Sequence, residues 1–392
     1  MRTGLDVLLS DVRRLRGQRV GFLCNHTAVD GELRHAVDLL RAAGVSIVRL
    51  FAPEHGVRAT AQDMALVDEV RDPVSGLPVI SLYGSDAASL RPDPRHLEDL
   101  DVLVFDIQDI GARYYTYQAT LGFCMEVAGQ LGIRVVVLDR PNPINGVTVE
   151  GNVVAPGFES FVGAYPIAVR HGMTVGELAG YFVAYCGVSC ELEVVRCVGL
   201  QRRKWFDETG LPWVYPSPNM PTLDTATVYP GACLIEATTL SEGRGTTRPF
   251  HLTGAPGLDP ERAVREAEAL AAEAGLRGVG FRPAAFLPGY QKHAGRGCTG
   301  LEIHVRDRDV MDSLLLGLVV LGAMRRTDPE RFGWRTEPYE FVVSPPAIDL
   351  LTGGPDARVL LEANGNPREL LDLWEPDRQA FLERRESVLL YR

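Results

Sequence analysis

Lysine is nearly missing from this 392-residue chain: Lys204 and Lys292 are the only two, and arginine supplies the rest of its 40 basic residues. No cationic block offsets the 51 aspartates and glutamates, so the formal charge is −11. Gripping nucleic acid or an anionic membrane surface needs a concentrated positive face, and both partners are excluded on that ground. Long apolar runs are scarce too. The longest, Leu314 to Met324, is about half of the ~20 residues that a membrane span requires and suits a buried helix. The seven cysteines are odd in number, none stands in a CxxC pair, and several lie inside apolar runs, which fits reduced thiols better than disulfides or zinc. Cys186 and Cys190, four apart, read as core positions. Asp6, Asp11, Arg13 and Arg14 interrupt anything like a secretory leader, and the expected location is the cytoplasm.

Several catalytic signatures are absent as well. The exit of the first strand reads Cys24-Asn-His-Thr-Ala-Val-Asp-Gly31, not the GxGxxG of a dinucleotide site. No GxSxG nucleophile elbow is present. Neither HxH nor HExxH occurs, which weakens a metal-dependent hydrolase built on His26, His55 and the aspartates.

What is present is apolar patterning: 46% of the residues are hydrophobic, enough for two cores in a chain of this length. Short continuous apolar strands are expected at Gln18 to Thr27, Ser46 to Ala52, Val102 to Ile107 and Arg134 to Leu138. They alternate with helices at Glu32 to Ala43 and Tyr117 to Leu131. That texture specifies a parallel sheet covered on both faces, a doubly wound α/β domain. A Pro-rich loop, Tyr215-Pro-Ser-Pro-Asn-Met-Pro221, precedes the expected junction, giving domains 1–228 and 229–392. The second reads as α+β, with helices at Pro260 to Ala274, Asp309 to Met324 and from about Pro376, and strands near Phe281 and at Gly300 to Val305.

Ligands of open parallel sheets bind beyond the carboxyl ends of the strands. Here those exits carry Asn25, Glu54 with His55, Asp106 through Asp109, and Asp139 with Asn142. Glu54, between Pro53 and His55 at the end of a buried strand, sits where desolvation can raise a carboxyl pKa into the working range of a general acid. Capping or pairing with an arginine is the alternative. A second carboxyl is available from Asp106, Asp109, Asp139 or Glu242, and spacing does not choose among them. The stretch Asp106-Ile-Gln-Asp-Ile-Gly-Ala-Arg-Tyr-Tyr-Thr-Tyr117 supplies a guanidinium and three rings, which suit an acidic carbohydrate; alternatively Arg113 pairs with Asp106 or Asp109 while the tyrosines pack the next helix. A polar loop, Ser241-Glu-Gly-Arg-Gly-Thr-Thr-Arg-Pro249, offers Glu242 and Arg244. A non-catalytic sugar binder would use the same rings and guanidinium groups.

Five segments carry a family likeness. Phe51-Ala-Pro-Glu-His-Gly56, Asp106 to Tyr117, Leu138-Asp-Arg-Pro-Asn-Pro143, Ser217-Pro-Asn-Met-Pro-Thr222 and Leu240 to Pro249 resemble the exo-β-N-acetylmuramidase (NamZ) family, in order and along nearly the whole chain. The resemblance implies a Rossmann-like domain with a smaller second domain, no cofactor and no metal. It implies release of β-1,4-linked N-acetylmuramic acid from the non-reducing ends of peptidoglycan fragments. By motif position Glu54 looks like the catalytic acid, with Asn25, His55, Gln108, Arg113, Tyr114, Tyr117 and Asn142 lining the pocket and Arg113 or Arg244 meeting the lactyl carboxylate. The full expectation is a catalytic set of Glu54, Asp106 and Glu242 and a saccharide-binding set that adds Asp109, Asp139, Asn219 and Arg244 to those seven. Many relatives look exported, whereas this chain is expected to handle muropeptides in the cytoplasm. Its oligomeric state stays open.

Overall fold

In a computed structural model of the protein, residues 1–57, 70–84 and 86–392 are described. Alternate residues of the first-half strands face opposite sides of one sheet. Val102 and Val104 pack into one apolar cluster with Phe22, Leu50 and Leu138, while Leu103 and Phe105 pack into another with Leu23, Phe51 and Val137. Burial on both faces is why these strands read as unbroken apolar runs.

The strands are β1 (Arg19–Cys24), β2 (Ser46–Ala52), β3 (Val70–Arg71), β4 (Pro78–Ser81), β5 (Val102–Asp106), β6 (Arg134–Leu138) and β7 (Leu192–Val195). Their order is β3-β4-β2-β1-β5-β6-β7, parallel except for the edge strand β3. The connecting helices are α1 (Gly4–Ser10), α2 (Ala36–Ala42), α3 (Tyr117–Gln130) and α4 (Val175–Tyr185). Helix α2 starts four residues later than the expected Glu32. The Asp30 carboxylate accepts from the backbone N–H groups of Glu32 and Arg34 and Leu33 has φ 64°, so this stretch is a side-chain-stapled turn. The pair β7 and α4 was not anticipated from the sequence.

In the second half, α5 (Leu223–Ala232), α6 (Pro260–Ala274) and α7 (Ser313–Thr327) pack beside an antiparallel sheet of order β8-β10-β9, formed by Leu252–Ala255, Cys298–Val305 and Val279–Phe286. The apolar run Leu314 to Met324 lies inside α7 and is buried all round, the mark of a core helix. Among the described residues, no helix is long and apolar enough to cross a membrane. Glycines let α5 and α7 touch backbone to backbone. A Cβ at Gly231 would stand 1.8 Å from the Ser313 carbonyl oxygen, and one at Gly317 2.1 Å from the Gly231 oxygen. Gly231→Ala is therefore expected to cost about 3 kcal/mol, the upper end for overpacking, read as a lower urea midpoint. An unchanged midpoint would contradict this packing.

Helices α8 (Ala347–Thr352), α9 (Asp356–Glu362) and α10 (Arg368–Glu386) complete the chain. Helix α10 begins at Arg368, well before the expected Pro376. That proline sits inside it, because a proline removes only one backbone bond and buried Trp374 and Phe381 hold the helix down on either side. The last residues return to the first half. Arg385 donates to the carbonyls of Gly146 and Gly172, the Leu390 N–H to Glu177, and the Tyr391 hydroxyl to Asp139.

Candidate active site

Strand β2 ends in a β-turn in which the Gly56 N–H donates to the Pro53 carbonyl at 3.0 Å. His55 takes the third position with φ 71°, a conformation that favours glycine. The turn leaves Glu54 on the wall of a cleft, 5% exposed. Its Oε2 accepts from the Thr116 hydroxyl at 2.8 Å. Thr116 is the N-cap of α3, yet its side chain makes no capping bond to the helix; its proton goes to Glu54 instead.

The cleft is tight: about 40 Å³ lies enclosed within it, and about 490 Å³ when the space open to solvent is counted. One wall is aromatic. Tyr115 stands edge-on to Tyr117 at 5.0 Å and to Tyr229 at 5.7 Å, and Tyr229 is edge-on to Phe250 at 4.8 Å. Burial pushes the phenols of Tyr114, Tyr115, Tyr117 and Tyr229 above their ordinary value, and the charge of Glu54 adds to the shift at Tyr117. These hydroxyls stay protonated at neutral pH, and Tyr117 donates its proton to the Pro216 carbonyl. Residues from the second half add carboxylates to the lining. Glu236 accepts from Arg244 and, at 2.9 Å, from the Tyr339 hydroxyl. Glu340 accepts from Tyr83 at 3.1 Å. Asn219, which accepts from Tyr290, and Met220 close the rim.

Residues 20–224 match the family model for the N-terminal part of exo-beta-N-acetylmuramidase NamZ, and residues 227–391 match its C-terminal counterpart. The chain belongs to the NamZ family. It is 40% identical to the peptidoglycan beta-N-acetylmuramidase NamZ of Bacillus subtilis (strain 168), spanning 100% of this chain and 91% of that one. Two crystal structures of DUF1343 family proteins from Bacteroides fragilis NCTC 9343 share its fold over 100% of this chain and 99% of theirs. Their TM-scores are 0.89 at 33% identity and 0.75 at 25% identity.

Within this NamZ-family chain, Glu54, His55, Tyr114, Tyr117, Asn219 and Arg244 line the cleft. The other expected site residues are used elsewhere. Asp106 is locked in a two-pronged ion pair with Arg140, at 2.5 and 3.0 Å, and lies outside the cleft lining. Asp139 holds the start of α4 through the Gly176 N–H and the Thr174 hydroxyl, both at 2.8 Å. Asn142 bridges the Met173 carbonyl and the Ile144 N–H. Asn25 accepts from Thr27, whose hydroxyl in turn receives the Gln108 N–H. Gln108 donates to the carbonyls of Asp109 and Pro141, and Asp109 accepts from the Gly111 N–H. Arg113 is fully buried, its two terminal nitrogens donate to the carbonyls of Asn152, Ile167 and Leu351, and it lies outside the cleft lining.

Glu242 is also displaced. It lines a neighbouring cavity, pairs with Lys292 at 2.8 Å and lies 3.7 Å from Arg244. Burial pushes its carboxyl up, but the two cations outweigh that and hold it below the ordinary glutamate value. Lys292 and Arg244 thus match its charge from two sides. Among the described residues, no three His, Cys, Asp or Glu side chains are grouped so as to hold a metal ion.

The cleft residues that the sequence did not single out include Thr116, Val162, Tyr229, Glu236, Phe250, Tyr339 and Glu340. One had a signal. Glu236 is the lone charge in the apolar run Ala232 to Ala237, and a carboxyl in such a run has to be paired or functional.

Proposed function

We propose that this protein hydrolyses the β-linkage of N-acetylmuramic acid at the non-reducing ends of peptidoglycan fragments, with Glu54 as the general acid. The observation that carries this reading is the placement of a buried carboxyl on the wall of an aromatic cleft in a NamZ-family chain. The sugar ring lies against the tyrosines, whose faces and hydroxyls suit a saccharide. Glu54 protonates the glycosidic oxygen as the bond breaks. Glu236, ion-paired with Arg244 on the other wall, is the carboxylate that faces the growing oxocarbenium charge. His55 and Asn219 hold the sugar's polar groups.

A substrate panel tests the activity. para-Nitrophenyl β-N-acetylmuraminide should be hydrolysed far faster than the β-N-acetylglucosaminide, without added metal or nucleotide, and NMR of the first-formed anomer should give its configuration. Equal rates on the two sugars, or none on either, would contradict the reading.

The Thr116 contact gives a pH prediction. The acid must be protonated, so kcat/KM falls as pH rises through its pKa. Thr116→Val removes a donor that favours the ionised form and so raises that pKa. A hydrogen bond to a charged group is worth about 1.5 kcal/mol, roughly one pH unit. The alkaline limb of the profile should therefore move up by about that much; a limb that stays put or moves down would show that Thr116 does not act on the catalytic acid.

A further inference from the structure

Beside the cleft lies a second cavity of about 840 Å³, open to solvent and sharing Glu236 and Arg244 as its common wall with the first. Four cationic or protonatable groups besides Arg244 bear on the two cavities: His55, Lys292, His293 and Arg335. Most of this charge is committed. Arg244 serves Glu236 and stands near Glu242. Lys292 donates to the carbonyls of Ile235, Glu236 and Thr238 and neutralises Glu242. The His293 ring bonds the Thr239 carbonyl at 2.9 Å.

Arg335 differs. Its guanidinium lies 5.2 Å from the ring centroid of Tyr339, whose hydroxyl reaches Glu236. Among the described residues, its one side-chain acceptor is the neutral carbonyl of Pro338 at 3.0 Å, and its buried Nε has no hydrogen-bond partner. Among the described residues it makes no ion pair, although exposed Glu337 lines the same cavity.

A carboxylate-bearing sugar entering a cleft that already holds Glu54, Glu236 and Glu340 needs a cation within reach of its substituent. The lactyl ether projects its carboxylate away from the ring, beyond the space the ring fills. Resting on the proposed activity, we infer that the second cavity is a carboxylate subsite in which Arg335 binds the lactyl carboxylate of the terminal muramic acid. This assigns to Arg335 the contact that the sequence had offered to Arg113 or Arg244. A planar guanidinium with free N–H edges suits a carboxylate better than an ammonium does.

The test is direct binding, by calorimetry on the full-length protein, of N-acetylmuramic acid, N-acetylmuramoyl-L-alanine and N-acetylglucosamine. Arg335→Gln should weaken N-acetylmuramic acid about 30-fold, leave N-acetylglucosamine within about twofold, and change the alanyl conjugate much less than the free acid. Arg335→Lys should recover part of the loss. Equal weakening of acid and neutral sugar would mean that the variant merely disturbs the loop, and would overturn the subsite, as would no weakening of either. Loss confined to the alanyl conjugate would place a peptide carboxylate there instead and also overturn it. If the wild-type protein binds none of the three, the proposed activity itself fails and the subsite falls with it.

Discussion

Glu54→Gln is expected to lower kcat about 10³-fold on a muramic-acid-terminated disaccharide while leaving the unfolding midpoint close to that of the wild type. A positioned acid contributes roughly 10² to 10⁴ to a rate, and a glutamine of the same shape cannot supply the proton. Folding should survive because the amide oxygen can still accept from the Thr116 hydroxyl. Burial at 5% exposure also costs less for a neutral amide than for a carboxylate. Steady-state kinetics with a urea melt on the same preparation separates the two effects. Loss of activity together with a large loss of stability would make Glu54 a structural residue.

Arg113→Ala is expected to act the other way, on stability first. The guanidinium gathers the Asn152 carbonyl at 2.7 Å, Ile167 at 3.1 Å and Leu351 at 2.8 Å, tying two loops of the first half to helix α8. Burial lowers its pKa to about 10, so it stays charged at neutral pH. Truncation strands three buried carbonyls and opens a cavity. At about 1–3 kcal/mol for each unsatisfied group, a loss of about 4 kcal/mol is expected, and lysine, with a single point of charge, should restore only part of it. A Glu54-like pattern would contradict this: wild-type stability combined with lost discrimination between muramic acid and glucosamine substrates would return Arg113 to the sugar.

The sheet was legible because its strands are buried on both faces. Ser46 to Ala52 and Arg134 to Leu138 fall where the apolar runs place them. Glu54 was legible for a related reason, as a carboxyl that ends such a run. The same reasoning overreached at the neighbouring exits. Asn25, Asp106, Gln108, Asp109, Asp139 and Asn142 follow buried strands too, yet their polar atoms satisfy turns, a helix start and an internal ion pair. Strand order reverses between β1 and β5, where a ligand would ordinarily enter. There the chain's own segment around Tyr215 and Pro216 closes the exits, held by His26 and by the Tyr117 hydroxyl at 2.5 Å. The cleft sits instead beyond β2, beside the start of α3. Its second wall was illegible because it arrives from far along the chain on pieces without periodicity. Glu236 lies in a short 3-10 turn, and Glu340 and Phe341 have φ values of 46° and 67°.

Leaving-group dependence tests most directly whether Glu54 gives its proton to the departing oxygen. A 2,4-dinitrophenolate leaves without protonation, whereas a sugar alkoxide does not. The ratio of wild-type to Glu54→Gln kcat should be large, about 10³, on the disaccharide and should collapse to within about tenfold on 2,4-dinitrophenyl β-N-acetylmuraminide. The same large ratio on both substrates would contradict the assignment of Glu54 as the acid.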